Sequence, residues 1–195
     1  MPVIINGSGS VTGLSVGGLP DGTVDADTLA SSAVTAAKLA SGVGGKFASY
    51  AIIADQKSSG TPGGTFNTGG WRTRDLNTEI ADADGIVSIS SNQFTLQAGT
   101  YLINARSNAY KVGNCVLKLY NITDSSDTSF GVTGYSPTSE AVQLLLTLTT
   151  RFTISGAKVF ELQMAGAGNE TTYGMGVNHS FGSEIYTIIE IYKES

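Results

Sequence analysis

Residues 184–194 read EIYTIIEIYKE, and the way their side chains alternate decides the fold. Extended backbone sends successive side chains to opposite faces. That places Ile185, Thr187, Ile189 and Ile191 on one face and Tyr186, Ile188, Glu190 and Tyr192 on the other. Both faces carry large apolar groups. A strand with one wet face has no use for this pattern, whereas a strand packed on its own core and against a neighbouring subunit does. A central sandwich strand covered on both sides by its own chain fits the same periodicity. Each such side chain contributes roughly 1.5–3 kcal/mol when fully buried.

The same period of two recurs upstream. Strand-like runs occupy residues 48–54, 86–89, 94–96, 101–106, 116–120, 141–150 and 159–164, with turn signals between them. Residues 60–70 are rich in turn formers and end at Trp71, and residues 82–85 read DADG. Many short strands at regular spacing, with no amphipathic helix after residue 46, predict an all-β sandwich or barrel.

The first 46 residues are different. Residues 1–22 hold two short β-prone runs, 3–5 and 14–16, broken by glycines, and an isolated pair of strands is marginal in water. This leader is expected to dock onto something else. Residues 24–31 read VDADTLAS and residues 34–41 read VTAAKLAS, one repeat unit that cannot bury an apolar face alone. In one straight helix a ten-residue period falls about 80 degrees short of whole turns, so Leu29 and Leu39 would not share a face. Two short helical turns fit better, with Asp25 and Asp27 as N-terminal caps; a single helix packing Leu29, Ala33, Ala36 and Ala40 is the alternative. The chain therefore divides into a leader over 1–22, a short stem and glycine linker over 23–46, and a β head over 47–195.

Composition narrows the partners. The 195 residues include 25 glycines, and charged residues make up 14%, against about 25% in a typical domain. A net charge of −5 with only 11 scattered basic residues argues against nucleic acid, because phosphate binding draws on clustered Lys and Arg. No apolar run approaches the roughly 20 residues a bilayer-spanning helix needs, and the first six residues do not resemble a secretion signal. Cys115 is the single cysteine, so no intrachain disulfide forms, and its place in a strand predicts a small apolar filler.

Catalytic and metal signals are thin. His179 is the single histidine and its flanks read as loop. No HExxH, P-loop or dinucleotide fingerprint occurs. Asp82 with Asp84, and Asp124 with Asp127, supply oxygen in pairs that calcium takes, but such pairs more often make turns. A glycan-cutting enzyme needs two carboxyls about 5–9.5 Å apart, and the acids here fall mostly in turn sequences. The expectation is a non-enzyme with no catalytic residues, cofactor or metal.

The head resembles a known family. Phe94, Thr95, Gly99 and Tyr101 in FTLQAGTYLI are similar to the aromatic-Thr and Gly-x-Tyr pattern of C1q and tumour-necrosis-factor-like domains. DGIVSISSNQ before it, VLKLYNITD after it and the closing EIYTIIEIYKE resemble neighbouring strands of those domains; residues 149–155 depart, lacking the usual Gly-Asp turn. The resemblance covers residues 47–195 and implies a ten-strand jelly-roll β-sandwich, carried on an extended or short-helical stem. It further implies a homotrimer with each last strand near the three-fold axis, and thus an interface of Tyr101, Tyr186, Ile188 and Tyr192, continued by Leu29 and Leu39 in the stem.

The leader and repeat are in turn similar to the amino-terminal and stem sequences of bacteriophage fibre proteins. That likeness implies a virion protein whose leader attaches to other virion structural proteins and whose head points outward. A head that binds a host-surface glycan or protein would do so through loops 57–70, 125–139 and 166–182, since loops escape the burial that fixes strands. The third, with Tyr173, Met175, Asn178 and His179 spaced by glycines, offers a stacking surface and hydrogen-bonding groups. A fibre decorating the capsid, and a secreted bacterial adhesin, are the alternatives.

Overall fold

The computed structural model describes residues 46–194 together with Val34. The chain divides into two compact units, Met1–Gly44 and Gly45–Ser195. The expected leader lies outside the described residues, as does the stem with Leu29 and Leu39, Val34 and Lys46 apart.

Alternating sequence has produced strands throughout residues 46–194, and among the described residues there is no helix. In chain order they are β1 (Phe47–Lys57), β2 (Arg72–Thr73), β3 (Thr78–Ala81), β4 (Val87–Ser90), β5 (Gln93–Leu96) and β6 (Gly99–Tyr110), then β7 (Gly113–Asn121), β8 (Ser126–Phe130), β9 (Gly134–Ser136), β10 (Gln143–Ile154), β11 (Lys158–Gly166) and β12 (Glu184–Glu194). One sheet runs β10-β6-β12-β1-β3 and the other β4-β5-β11-β7-β8, with β2 and β9 attached to β11 and β7. The chain crosses repeatedly from sheet to sheet, so neighbours in space are distant in sequence. Two antiparallel sheets joined in this way form a jelly roll, with twelve strands, five and seven to the sheets, where ten were expected; the short β2 and β9 are the additions off the two main paths.

Strand faces follow side-chain chemistry. In β6, Tyr101, Ile103, Ala105, Ser107 and Ala109 point into the sandwich while Arg106 is exposed. β10 pairs with β6 in unbroken register from Gln143↔Tyr110 to Ile154↔Gly99. Of residues 149–155, where the familiar turn is missing, 149–154 continue β10, because Arg151 and Thr153 face out while Phe152 and Ile154 pack on the core, and Ser155 begins the bend that follows. An aromatic ladder joins the sheets at this end: Phe94 lies 5.7 Å from Phe160, Phe160 5.2 Å from Phe152, and Phe152 6.2 Å from Tyr101. Each such pair adds about 0.5–1.5 kcal/mol beyond area burial. Cys115 fills space in β7, and burial pushes its thiol up.

Turns explain the acids and one unusual backbone. Ser91 and Asn92 both have positive φ, 53° and 64°, the two-residue hairpin geometry that matches strand twist. Asp82 accepts hydrogen bonds from the N–H groups of Ile86 and Val87 across the DADG turn. Asp124 is taken up by Asn121 and Lys158, and Asp127 pairs with Lys118 at 2.8 Å. Lys118 is itself enclosed on the outer face of the second sheet, 4.2 Å from the ring centre of Trp71 and 4.8 Å from that of Tyr120.

β12 departs from simple alternation. Its register against β1 steps from Asp55↔Thr187 to Gln56↔Ile185, leaving Tyr186 as an extra residue in a bulge. Thr187, Ile189 and Ile191 face the core as expected, but Ile185 turns outward at 41% exposure and Tyr186 turns inward at 3%. The two predicted faces therefore exchange partners at the start of the strand.

Candidate functional site

The expected receptor loop is built largely from packing. Gly174 lies against Phe66, where an added Cβ would stand 2.5 Å from the phenylalanine Cβ. Gly176 has φ +138° and would place a Cβ 2.2 Å from the Tyr186 ring. The glycines that looked like flexible spacing are there because neighbours come this close. Backbone hydrogen bonds then zip loop 166–182 to loop 57–70: Met175 N–H to Gly64 O, Gly63 N–H to Gly176 O, and Phe66 with Glu170 in both directions.

The four receptor candidates do not form one surface patch. Met175 is buried; its carbonyl accepts from Arg74 Nη2 at 2.7 Å and its sulfur from Nη1. Tyr173 is exposed and packs edge-on against Tyr110 at 6.3 Å. Asn178 donates to Ser180 Oγ. His179 is held at both nitrogens: Nδ1 accepts from Phe181 N–H at 2.9 Å, which leaves the proton on Nε2, 3.2 Å from Glu184. Among the described residues the imidazole contacts Phe181 N–H and Glu184 and no hydroxyl, so His179 and Ser180 are not arranged as base and nucleophile.

Glu184 anchors this end. Its carboxylate accepts N–H hydrogen bonds from Gly60, His179 and Ser180. Burial opposes the charge, but these donors and His179 hold the carboxyl below its ordinary range. Tyr186 donates its hydroxyl to Thr61 O at 2.6 Å, and burial, then Glu184 and Asp55, push it up to about 12. Arg74, fully buried, donates to Thr187 on β12 as well as to Met175; burial pulls it down to about 10 against the nearby Asp55 and Asp75. Asp55 is 1% exposed, paired with Lys57 through Oδ1 and unpartnered at Oδ2, and burial pushes its carboxyl up. Sequence reading passed over Arg74, because a polar RTRD run reads as surface loop.

The interface candidates separate into two groups. Tyr101 is fully buried in its own sandwich, with its hydroxyl on Gln97 O, and Tyr186 is enclosed by the loops described above. Both are corrected from interface to interior. Ile188 and Tyr192 lie half-buried on the outer face of the first sheet. Across from Tyr192, Tyr50 is 55% exposed, and toward the other end a hollow of about 210 Å³ opens beside Ile185, Ile188 and Leu145, the last 56% exposed. The charges on this face pair with one another: Arg106 with Glu190, and Arg151 through two bonds of 2.7 Å with Glu194. Arg151, then Lys46, hold the Glu194 carboxyl down to about 2.

Among the described residues no group of three or more His, Cys, Asp or Glu is arranged to hold a metal ion. The sequence matches no protein-family model and no curated protein. Among solved structures, the chain is similar to murine APRIL, with a TM-score of 0.47 and 8% identity over 74% of this chain and 98% of that one. It is likewise similar to the globular domain of zebrafish complement 1qA, with a TM-score of 0.44 and 14% identity over 74% of this chain and 96% of that one.

Proposed function

We propose that this chain is the head and stem of a homotrimeric fibre or spike on a phage virion, and that the head attaches to a host-surface receptor without covalent chemistry. The observation that carries the trimer is the outer face of the first sheet. It exposes Tyr50 beside Tyr192 toward one end and Leu145 and Ile185 beside Ile188 toward the other, while Arg106 with Glu190 and Arg151 with Glu194 are already paired in the same chain. Covering such a face with a second copy buries apolar area and strands no lone charge, the usual cost of burying an ionic surface. Three heads joined this way convert weak single-site contacts into useful attachment through effective concentration. The virion role rests on the leader and the ten-residue repeat.

Light scattering on the full chain at micromolar concentration tests the trimer, and a monomer refutes it. Replacing Ile188 and Leu145 together by Asp should dissociate the trimer to folded monomers. Antibody labelling of virions tests the role: label at the tail tip supports attachment, and label spread over the capsid supports decoration instead.

A further inference from the structure

The outer face of the second sheet carries a groove that none of the sequence motifs marks. Its volume is about 680 Å³, inside the range of small-molecule sites. Three adjacent strands build it. Tyr135 on β9 stands directly across from Asn114 on β7, and Val116 on β7 stands across from Ala165 on β11. Thr133 and Ala167 close the two margins. The floor is shallow because the residues there are Ala and Gly, and the wall is a tyrosine 60% exposed.

Three features define what fits. The lining contains no Asp, Glu, Lys, Arg or His, so the groove offers no counter-charge to a phosphate, a sulfate, a carboxylate or an amine. The Tyr135 ring is free to stack, since it makes no ring contact among the described residues. The Asn114 amide, on the strand directly opposite, and the Thr133 hydroxyl beside it add donors and acceptors near the ring. An aromatic face with amide and hydroxyl groups close by, and no charge, matches the C–H face and hydroxyl rim of an uncharged sugar ring.

We infer that this groove is a binding site for a neutral hexose unit of a surface glycan, with Tyr135 stacking on the ring and Asn114 and Thr133 bonding its hydroxyls. The inference rests on the attachment reading only for where the glycan comes from. It also fits the proposed assembly, because the groove is on the sheet opposite the oligomer face. Three copies would present three grooves outward.

The test uses the full chain and a panel of methyl glycosides of neutral hexoses, with 3′-sialyllactose as the charged comparison, read by saturation-transfer NMR. Saturable binding of at least one neutral glycoside in the millimolar range is expected. Tyr135→Ala should weaken it about tenfold, from lost stacking, and Ala165→Trp should abolish it by filling the floor. Tyr135 is exposed, so neither its removal nor the melting temperature should report a folding loss. Failure of every neutral glycoside to bind, binding indifferent to both variants, or a preference for the sialylated sugar each overturns the inference. Host-cell adsorption separates the two readings: adsorption with no glycoside binding that depends on Tyr135 removes the groove and keeps attachment, whereas Tyr135-dependent glycoside binding without adsorption keeps the groove and removes attachment.

Discussion

Replacing Arg74 by Met tests whether the loop end of the head is held by one buried cation. The methionine keeps most of the apolar stem and deletes the guanidinium. Lost with it are the bond to Thr187 Oγ1 at 3.2 Å and the bond to Met175 O at 2.7 Å. Hydrogen bonds from a charged donor contribute about 1.5–3 kcal/mol each. Against this stands relief from burying the cation, whose pKa falls from 12.5 to about 10, and that relief is of order 3 kcal/mol at about 1.4 kcal/mol per unit. The balance is tipped by what stays behind. Met175 O becomes a buried acceptor without a donor, Thr187 Oγ1 keeps only its bond with Ser107 Oγ, and Asp55, already raised by burial and open at Oδ2, loses a favourable positive neighbour. Removing one member of such a buried set costs about 3–5 kcal/mol. For a chain of this size that is a fall of roughly 6–20 °C in the melting temperature. Differential scanning calorimetry at matched chain concentration reads it, since assembly itself raises the transition. Arg74→Lys should fall between, keeping the charge but not the fork. A melting temperature for Arg74→Met within about 2 °C of the parent would refute the reasoning.

Gly176→Ala should destabilise the head by more than an exposed glycine substitution does, because its Cβ would lie 2.2 Å from Tyr186 Cδ1 at a φ of +138°; Gly85→Ala, with nothing within 4 Å, is the control for backbone strain alone. Acid should loosen the 179–184 corner. Glu184 is depressed in the folded chain, so its contribution is complete above the ordinary value of 4.5 and is lost as pH falls through the folded value. Amide protection at Gly60, His179 and Ser180, relative to the intrinsic rate at each pH, should therefore fall on acidification below pH 4.5, and Glu184→Gln should show reduced protection already at neutral pH.

Strand existence was legible wherever one face of a strand is wet and the other dry, as in β6 and β10. Periodicity missed β2, β3, β8 and β9, which read RT, TEIA, SDTSF and GYS and hold at most one large apolar or aromatic side chain each; β4 and β5 are as short as β3 but carry Val87, Ile89, Phe94 and Leu96 and were found. The bulge in β12 was hidden for a different reason. With apolar groups on both faces, one inserted residue leaves no mark on the hydropathy pattern, although it reverses which side chains point in. The loop glycines misled because tight packing and flexibility both select glycine, and only the distance to Phe66 and Tyr186 separates them. The groove draws on residues 114–116, 133–135 and 165–167. No local window contains it.

The bulge at Tyr186 connects the two ends of the argument. Because of that extra residue, Tyr186 turns inward to hold Thr61 O and pack on Gly176, which fixes loops 57–70 and 166–182 to each other. By the same step Ile185 turns outward beside Leu145 and Ile188, enlarging the apolar face assigned to the trimer. Deleting Tyr186 would set Ile185 directly before the inward Thr187 and restore plain alternation, with Ile185 still outward and still across from Gln56. The loops would lose their tyrosine anchor, while the outer apolar face would keep Ile185. Loop order should therefore fail alone in that deletion, read as faster amide exchange at Gly63 and Met175 with the oligomeric state in light scattering unchanged. Loosened loops accompanied by a shift toward monomer would show that assembly depends on the anchored loops and not on the outer apolar face alone.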